Sequence, residues 1–326
     1  MRIRYKLKTG HSDPALTAFE ETLAFKEGYR NVKVPASIGE GSLVSVDIAE
    51  GFHFNLQFYR LDVPLQVIKE VTDEGYDSVH IVFYYLEVPE RAYVQGTEVL
   101  YDQGVNVYTQ PINAVLEFPA HTRRNVVCMR IDRRKLAGML GDDQEVYLDG
   151  LLQQDQAFFI HEELSQEMRA LMWELRMPPA AKTLQRLFYQ VRVQQLVYLL
   201  LEQLNKRTAA PHKNTNSGDV AKVFNARQLL VEDLSTPPTI ASLARSILMS
   251  ESQLKQSFRE IFGVSVYQYF QNARMEKARQ LLTERGRTVK EVGYELGFTN
   301  IGHFSRLFER AYHVKPKKFQ LGRDGE

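Results

Sequence analysis

The spacing of apolar residues changes from the strand period to the helix period near Asp132. Before this point apolar residues often fill every second place, most plainly in FHFNLQFY at 52–59. This alternation predicts a half-buried strand, because successive side chains of a strand point to opposite faces. Further strands are predicted at 79–86, 105–108, 114–118 and 125–131. Several strands this close together favour a barrel or a sandwich.

Beyond Arg133 the apolar spacing is helical, and it predicts helices at 134–140, 162–176 and 181–205. The last helix carries more apolar residues than one small β-domain can hide. Two arrangements would bury them: packing on the β-domain together with a second subunit, or a purely intramolecular bundle. The residues concerned are Leu184, Leu187, Phe188, Val191, Leu196, Val197, Leu200, Leu201 and Leu204.

The C-terminal part is predicted to be helical, and three of its helices have explicit start signals. Each signal is a hydroxyl residue with Gln or Glu three positions later, the spacing of a capping box. The pairs are Ser250 with Gln253, Ser265 with Gln268, and Thr288 with Glu291. Between the last two starts, 265–283 predicts about 20 residues of continuous helix, hence a rod of about 30 Å. This length is close to that of one turn of B-DNA, which is about 34 Å.

An internal repeat at an offset of 50 positions covers the same region. Each copy is interpreted as a helix, a tight turn and a second helix, which is helix-turn-helix spacing. In the second copy Gly297 ends the first helix and Asn300 caps the next. The repeated residues are Ser250, Leu254, Phe258, Phe262, Val264 and Tyr269, which recur as Asn300, Phe304, Phe308, Tyr312, Val314 and Phe319.

A helical wheel separates an inner and an outer face in the second helix of each copy. Leu254, Phe258 and Ile261 point inward in the first copy, and Phe304 and Phe308 do so in the second. The outer faces carry groups that base edges and phosphates accept. They are Ser252, Gln256 and Arg259, flanked by Gln253 and Lys255, and in the second copy Gly302, His303, Arg306 and Arg310.

The stretch GFTNIGHFSRLF at 297–308, with Pro316 after it, resembles the signature of the AraC/XylS family of transcription regulators. The resemblance covers 219–320, roughly a third of the chain, and it implies a seven-helix domain with both recognition helices in the major groove of promoter DNA. By position, the base-contact residues would be Ser252, Gln253, Gln256, Gly302, His303 and Arg306. Phosphate contacts are expected from Lys255, Arg259, Arg310, Lys315, Lys317 and Lys318.

The chain departs from the family pattern at several positions. Leu248 stands where the first turn usually has Gly, His313 replaces the Gly before the family's Pro segment, and Gln320 replaces a closing Arg. Ile301 and Gly302 offer no side-chain hydrogen bonds. Arg306 is therefore expected to be the base reader of the second unit, with weak sequence discrimination there.

The resemblance implies an α+β chain whose N-terminal part is a cupin-like β-barrel that senses a small molecule. Domain limits are predicted at 1–152 for the effector domain, 153–207 for a helical dimerisation segment, 208–218 for a flexible linker and 219–322 for the DNA-binding domain. The linker prediction follows from its small, polar, Pro- and Gly-containing composition. Candidate pocket residues are Phe54, Phe58, His80, Phe83, Tyr85, His121 and Arg123, for which ordinary core or solvated turn positions are the alternative.

Charge and cysteine content narrow the classes of function. The net charge is +1, but residues 219–326 hold 17 Lys and Arg against 12 Asp and Glu, which leaves −4 for the rest. A basic C-terminal part suits a phosphate-facing surface. Cys128 is the single cysteine, which excludes an internal disulfide and a cysteine zinc cluster, and it is expected at a buried strand position.

The sequence motifs favour a regulator over an enzyme. The eight histidines are scattered and no phosphate loop or nucleophile elbow occurs, so we expect no catalytic residues, metal or cofactor. No apolar stretch approaches about 18 residues, so a cytoplasmic protein without a membrane partner is expected. The expected partners are promoter DNA, an unidentified small-molecule effector, RNA polymerase and a second copy of the chain.

Two other functions stay open at this point. One is a small-molecule-binding or catalytic cupin to which a degenerate helical domain is attached. The other is an architectural nucleoid protein that binds all DNA sequences with similar affinity.

Overall fold

The computed structural model describes residues 3–8, 28–71, 78–94, 97–109, 114–140, 158–179, 181–207, 217–284 and 286–321. The chain divides into two compact units, Met1–Ala221 and Lys222–Glu326. The predicted linker lies outside the described residues except for 217 and 218, and so does the predicted limit near 152. Both therefore stay predictions.

The described residues of the N-terminal unit form one antiparallel sheet of ten strands. All five predicted strands are present within it, and five others were not predicted. The pairing order is β1-β5-β8-β6-β9-β4-β3-β2, with β7 between β6 and β10. The strands are β1 Ile3–Lys8, β2 Arg30–Lys33, β3 Gly39–Ala49, β4 Phe52–Leu61, β5 Leu65–Val71, β6 Ser78–Val94, β7 Thr97–Tyr108, β8 Ala114–Phe118, β9 Arg123–Asp132 and β10 Phe159–Glu162.

Strand β6 connects the two halves of this sheet. Its residues 78–84 pair with β9 and 91–94 pair with β8, while β7 pairs with both stretches. The register of the β6–β7 pair shifts between Tyr85 and Glu90, and irregularities of this kind bend a strand. Residues of β4, β5, β8 and β9 consequently line one common cavity. Among the described strands the pairing path has two free ends, so no closed barrel is seen and the cupin-like closure stays a prediction.

The described residues up to 207 form three helices: α1 Arg133–Leu140, α2 Gln166–Glu174 and α3 Lys182–Asn205. Helices α2 and α3 pack on the sheet face that carries Phe54 and Phe83 and bury both rings completely. The predicted helix 162–176 is wrong in its first turn. The helix begins after Ser165, whose hydroxyl accepts a hydrogen bond from the Met168 N–H at 3.2 Å, because residues 159–162 pair with β7 instead.

Helix α3 has two apolar faces. One face buries six side chains against the sheet, from Tyr189 to Leu204. The other leaves four apolar residues about half exposed, and we call these the α3 stripe: Leu184, Leu187, Val191 and Tyr198. Their spacing of three, four and seven is the heptad spacing of a helix–helix seam. The intramolecular arrangement alone therefore does not hide the apolar residues of this helix.

Seven helices lie between residues 217 and 321 in the described part of the chain. Their number agrees with the seven-helix domain that the family resemblance implies. They are α4 Ser217–Glu232, α5 Ile240–Ser246, α6 Glu251–Phe262, α7 Val266–Leu281, α8 Val289–Glu295, α9 Ile301–Tyr312 and α10 Pro316–Leu321.

The three predicted helix starts are confirmed. The side chains of Ser250, Ser265 and Thr288 each accept a hydrogen bond from the N–H three residues on, at 3.2 Å. Thr288 and Glu291 form a complete capping box, whereas the Gln268 amide donates to Asn272. Each cap stabilises its helix by about 1 kcal/mol.

Helix α7 is shorter than the sequence predicts. It has 16 residues, hence about 24 Å rather than about 30 Å. It ends early because the N–H groups of Thr283 and Glu284 bond to carbonyls only three residues back, a tight turn that cannot continue an α-helix. Its first half contacts the first helix-turn-helix unit through Tyr269, and its second half packs into the core of the second unit through Met275 and Ala278.

The turns of the two units place different residues in the left-handed conformation. Gly297 has φ of 74°, and a Cβ there would lie 1.9 Å from the Ser235 carbonyl oxygen, so the position requires glycine. Leu248 takes the equivalent place in the first turn with φ of 56°, and its side chain is 84% exposed. A leucine in this conformation is strained, since its Cβ crowds the backbone. The departure from the family pattern thus has a cost in stability.

Replacing Leu248 with Gly is expected to stabilise the C-terminal unit by about 1 kcal/mol, because strain is removed and almost no buried surface is lost. Far-UV circular dichroism during urea unfolding measures the change. The control is Thr299→Gly in the second turn, an exposed residue that is not among those with positive φ. This control should destabilise through the entropy of the unfolded chain. A lower midpoint for Leu248→Gly would contradict the strain at this residue.

Candidate nucleic-acid interface and ligand cavity

The inner faces of α6 and α9 hold these helices in place. Phe258 is fully buried and packs at ring-centroid distances of 4.6 Å from Phe262 and 5.5 Å from Tyr269. In the second unit Phe304 and Phe308 are fully buried at 6.1 Å from each other. Aromatic pairs in these tilted and edge-on arrangements add about 0.5 to 1.5 kcal/mol beyond their area burial. With these rings inward, the opposite faces of both helices must meet solvent.

All twelve residues that the sequence predicts to contact DNA are exposed. The exposure agrees with the helical wheel and excludes a helix bundle that hides these faces, while contact with DNA itself stays a prediction. The residues are Ser252, Gln253, Lys255, Gln256, Arg259, Gly302, His303, Arg306, Arg310, Lys315, Lys317 and Lys318.

Most of the predicted cations have no carboxylate partner. Lys255 pairs with Glu251 one helical turn away, at 3.6 Å. No ion pair involves the other cations of the set within the described residues: Arg259, Arg306, Arg310, Lys315, Lys317 and Lys318. Unpaired guanidinium and ammonium groups are available to phosphates without first breaking an internal bond.

Helix α7 is tied to the second unit by polar contacts. The buried Arg274 guanidinium donates to the Leu296 carbonyl and stacks on the Phe298 ring at 3.6 Å. Glu276 accepts a hydrogen bond from the Tyr312 hydroxyl at 3.0 Å, and Arg279 and Tyr312 help to lower the pKa of Glu276. These contacts fix the turn before α9 and the C-terminal end of α9 relative to α7.

The other departures from the family pattern have structural consequences. His313 ends α9 with φ of 57°, the same left-handed cap that Gly263 gives to α6. Gln320 donates to the Arg287 carbonyl at 2.8 Å and so ties α10 to the start of α8. Neither departure disturbs the capping or the core of the second unit.

A cavity of about 150 Å³ lies inside the curled sheet of the N-terminal unit. Its wall is formed by aromatic and aliphatic side chains with a few polar groups. The apolar part consists of Tyr59, Val67, Val82, Tyr84, Leu86, Val94, Tyr101, Tyr108, Ala114, Leu116, Phe118, Val126 and Phe159. The remainder is Gln57, Lys69, Glu90, Asn106, Arg124 and Cys128.

A buried ion pair occupies one side of this cavity. Arg124 donates to Glu90 at 2.8 Å and to Gln57 at 3.0 Å, and it stacks on the Phe118 ring at 3.8 Å. Burial raises the pKa of Glu90 above its ordinary value, and Arg124 opposes that rise. Burial also raises the pKa of the Tyr59 hydroxyl to about 12.

An aromatic stack borders the other side. Tyr108 lies between His80 at 5.3 Å and Phe159 at 5.7 Å, with the rings nearly parallel. Lys69 donates to the Tyr108 hydroxyl at 3.3 Å. Burial, followed by the charges of Lys69 and Arg130, lowers the pKa of His80 well below its ordinary value, so this histidine is neutral.

None of the seven predicted pocket residues lines the cavity. Phe54 and Phe83 lie in the core between the sheet and the helices. Phe58 and Tyr85 share this face, where the Arg176 guanidinium stacks on Phe58 at 3.5 Å. The alternation identified buried strands, but it could not tell which face packs on helices and which faces the cavity.

The other three predicted pocket residues lie elsewhere. His80 is on the cavity face but reaches the cavity only through its stack on Tyr108. His121 is exposed, has φ of 62° and pairs with Asp62 at 3.4 Å. Arg123 is exposed at the start of β9.

The sequence did contain a signal for the polar groups that were missed. Lys69 follows Leu65 and Val67 at the strand period, so a charge stands in register with inward apolar positions. Arg124 likewise precedes Val126 and Cys128 at the strand period, so its charge is also in register with inward apolar positions. Charges in the apolar phase of a strand are costly to bury without a partner, which marks them as candidates for a site.

Comparison with protein families covers both units. Residues 40–216, more than half of the chain, match the family described as "Regulatory protein PchR N-terminal domain". Residues 243–321 match the family described as "Helix-turn-helix domain". No helix in the described part of the chain is long and apolar enough to cross a membrane.

Several curated regulators are similar to part of this chain. The HTH-type transcriptional regulator ArgR of Pseudomonas aeruginosa is 26% identical over 132 residues, 40% of each protein. The arabinose operon regulatory protein of Salmonella typhimurium is 30% identical over 38% of this chain and 44% of its own length. The chain thus spans less than half the length of these relatives.

Among solved structures, an AraC-type regulator from Chromobacterium violaceum is 25% identical over 33% of this chain and 96% of its own, with a TM-score of 0.31. The two family matches and the curated relatives show the family. This chain belongs to the AraC family of transcriptional regulators, and through residues 40–216 it belongs to the PchR N-terminal domain family.

Proposed function

We propose that this regulator binds specific promoter sequences through α6 and α9 and that a small molecule in the N-terminal cavity controls its activity. The observation that carries the proposal is the pairing of a buried aromatic face with an exposed polar face in both helices. A helix with hydrogen-bonding side chains on its outer face fits the major groove, where base pairs differ in their donors and acceptors.

The two units are expected to contribute differently to sequence recognition. The outer face of α6 carries Ser252 and Gln256. The hydroxyl of a serine and the amide of a glutamine can both form hydrogen bonds with base edges. The outer face of α9 carries Gly302 and, as its only guanidinium in the predicted base-contact set, Arg306. The first unit should therefore read more of the sequence, and the second should depend on a single contact.

The chain is expected to act as a homodimer joined through the α3 stripe. An apolar stripe at heptad spacing gains most by pairing with an identical helix, because each copy hides the other's exposed surface. Contact with RNA polymerase stays a prediction without a surface assigned to it.

The cavity is the favoured effector site of the N-terminal unit. It combines a mostly apolar wall with a small number of convergent polar groups, which is typical of small-molecule sites. The alternative of a binding cupin with a degenerate helical domain is disfavoured, because caps and aromatic cores are intact in both helix-turn-helix units. An architectural role would need binding that is blind to sequence.

In vitro selection from a random duplex pool tests the proposed DNA binding. We expect an enriched site with two half-sites about 10 base pairs apart, read by the first and second units. On that site Arg306→Ala should weaken the free energy of binding by about 1 to 3 kcal/mol and relax the base preference in one half-site, as measured by fluorescence anisotropy.

Lys317→Ala should weaken binding to all duplexes alike and lower the salt dependence of the affinity by about one phosphate contact.

The matched control for these variants is Lys277→Ala, which removes an exposed cation from α7 outside the predicted interface. It should leave both affinity and salt dependence unchanged. Two results together would instead support the architectural role: the pool shows no enriched site, and salt abolishes binding equally for every duplex.

The proposed dimer is tested by placing a charge in the α3 stripe. Val191→Glu should convert the dimer to monomer in sedimentation velocity, because burying an unpaired carboxylate costs several kcal/mol. Lys135→Glu, on the exposed surface of α1, is the control and should leave the dimer intact. A wild-type chain that is monomeric at every concentration would contradict the proposed interface.

A further inference from the structure

The charges that line the cavity do not cancel. Arg124 and Glu90 neutralise each other in a direct ion pair whose side chains are each 11% exposed. Lys69 is the second cation of the wall, and no carboxylate pairs with it within the described part of the chain. Among the described residues, the cavity wall therefore carries one positive charge that no carboxylate balances.

The surroundings of Lys69 hold its ammonium group at the cavity. Its Nζ lies 3.3 Å from the Tyr108 hydroxyl oxygen and 5.1 Å from the centre of that ring. Tyr108 is itself fixed in the stack between His80 and Phe159. Of the described groups close to Lys69, His80 is uncharged and Arg130 adds to the positive field. One hydrogen bond to Tyr108 leaves two ammonium donors of Lys69 for another acceptor.

The rest of the wall sets the size and polarity of a ligand. Six aromatic rings and several aliphatic side chains surround a space of about 150 Å³. A space of this size accommodates a single six-membered ring. A charged ligand group could enter it only if it met an opposite charge with hydrogen-bond donors.

We infer that the cavity binds a small, largely apolar monocarboxylate, with one ring or a short chain, whose carboxylate pairs with Lys69. The ring or chain of the ligand contacts the aromatic wall, and the Arg124–Glu90 pair stays closed. Amines are disfavoured by the net positive charge. The inference deepens the proposed function by naming the effector class, and the binding itself does not depend on that function.

Isothermal titration calorimetry of the full chain tests this inference with benzoate and hexanoate as probes. Benzamide and hexanamide are neutral controls of the same shapes. At least one acid should bind about tenfold or more tightly than its amide, because a charge-assisted hydrogen bond is stronger than a neutral one. Lys69→Met should abolish the preference for the acid, whereas Lys69→Arg should retain it.

The single cysteine reports where the probe binds. Cys128 lies in the cavity wall, and burial raises the pKa of its thiol to about 11. The rate of its alkylation by iodoacetamide at mildly alkaline pH should be lower with bound acid than in the free protein. The amide at equal concentration should lower this rate less than the acid does. Unchanged unfolding of the Lys69 variants, followed through Trp173 fluorescence, excludes misfolding as the cause.

Three results would overturn the inference: acid and amide bind equally, Lys69→Met keeps the preference, or neither acid binds at millimolar concentration. Failure of the proposed function looks different. An acid that binds and protects Cys128 while leaving DNA affinity unchanged would uphold the site and contradict its role as the effector site.

Discussion

The burial of two aromatic rings in each of α6 and α9 is the constraint on which the DNA-binding surface depends. Once Phe304 and Phe308 are inside, the helix period of 3.6 residues leaves no choice for Arg306, which must face solvent. The same holds for Phe258 and Gln256. Because α7 contributes residues to both cores, the spacing of the two outer faces follows from packing.

A different constraint shapes the N-terminal unit. The irregular stretch of β6 lets one strand pair with β9 at its start and with β8 at its end. The cavity lies on the inner side of the sheet that this bend produces. Helices α2 and α3 cover the other side, so the two faces of the same strands have different roles: one is core, and the other holds a buried ion pair and Lys69, which has no carboxylate partner among the described residues.

Features that depend on contacts between residues close in the sequence could be predicted, and features that depend on distant contacts could not. Helix starts at Ser250, Ser265 and Thr288 depend on hydrogen bonds three residues long, and they were predicted correctly. The length of α7 and the identity of the cavity face were not, because both depend on distant contacts. Period-two alternation around Phe54 and Phe83 indicates a buried face, whether that face packs on helices or lines the cavity. Only the packing of α2 and α3 decides between the two.

The two similar units are proposed to read neighbouring major grooves from one side of the duplex. Dimethyl sulfate protection on a selected duplex measures this directly, since the reagent methylates guanine N7 in the major groove. For each bound protomer the account predicts two protected segments about one helical turn apart, of which Gln256→Ala removes one and Arg306→Ala the other. A single protected segment, or the loss of both segments in either variant, would contradict it.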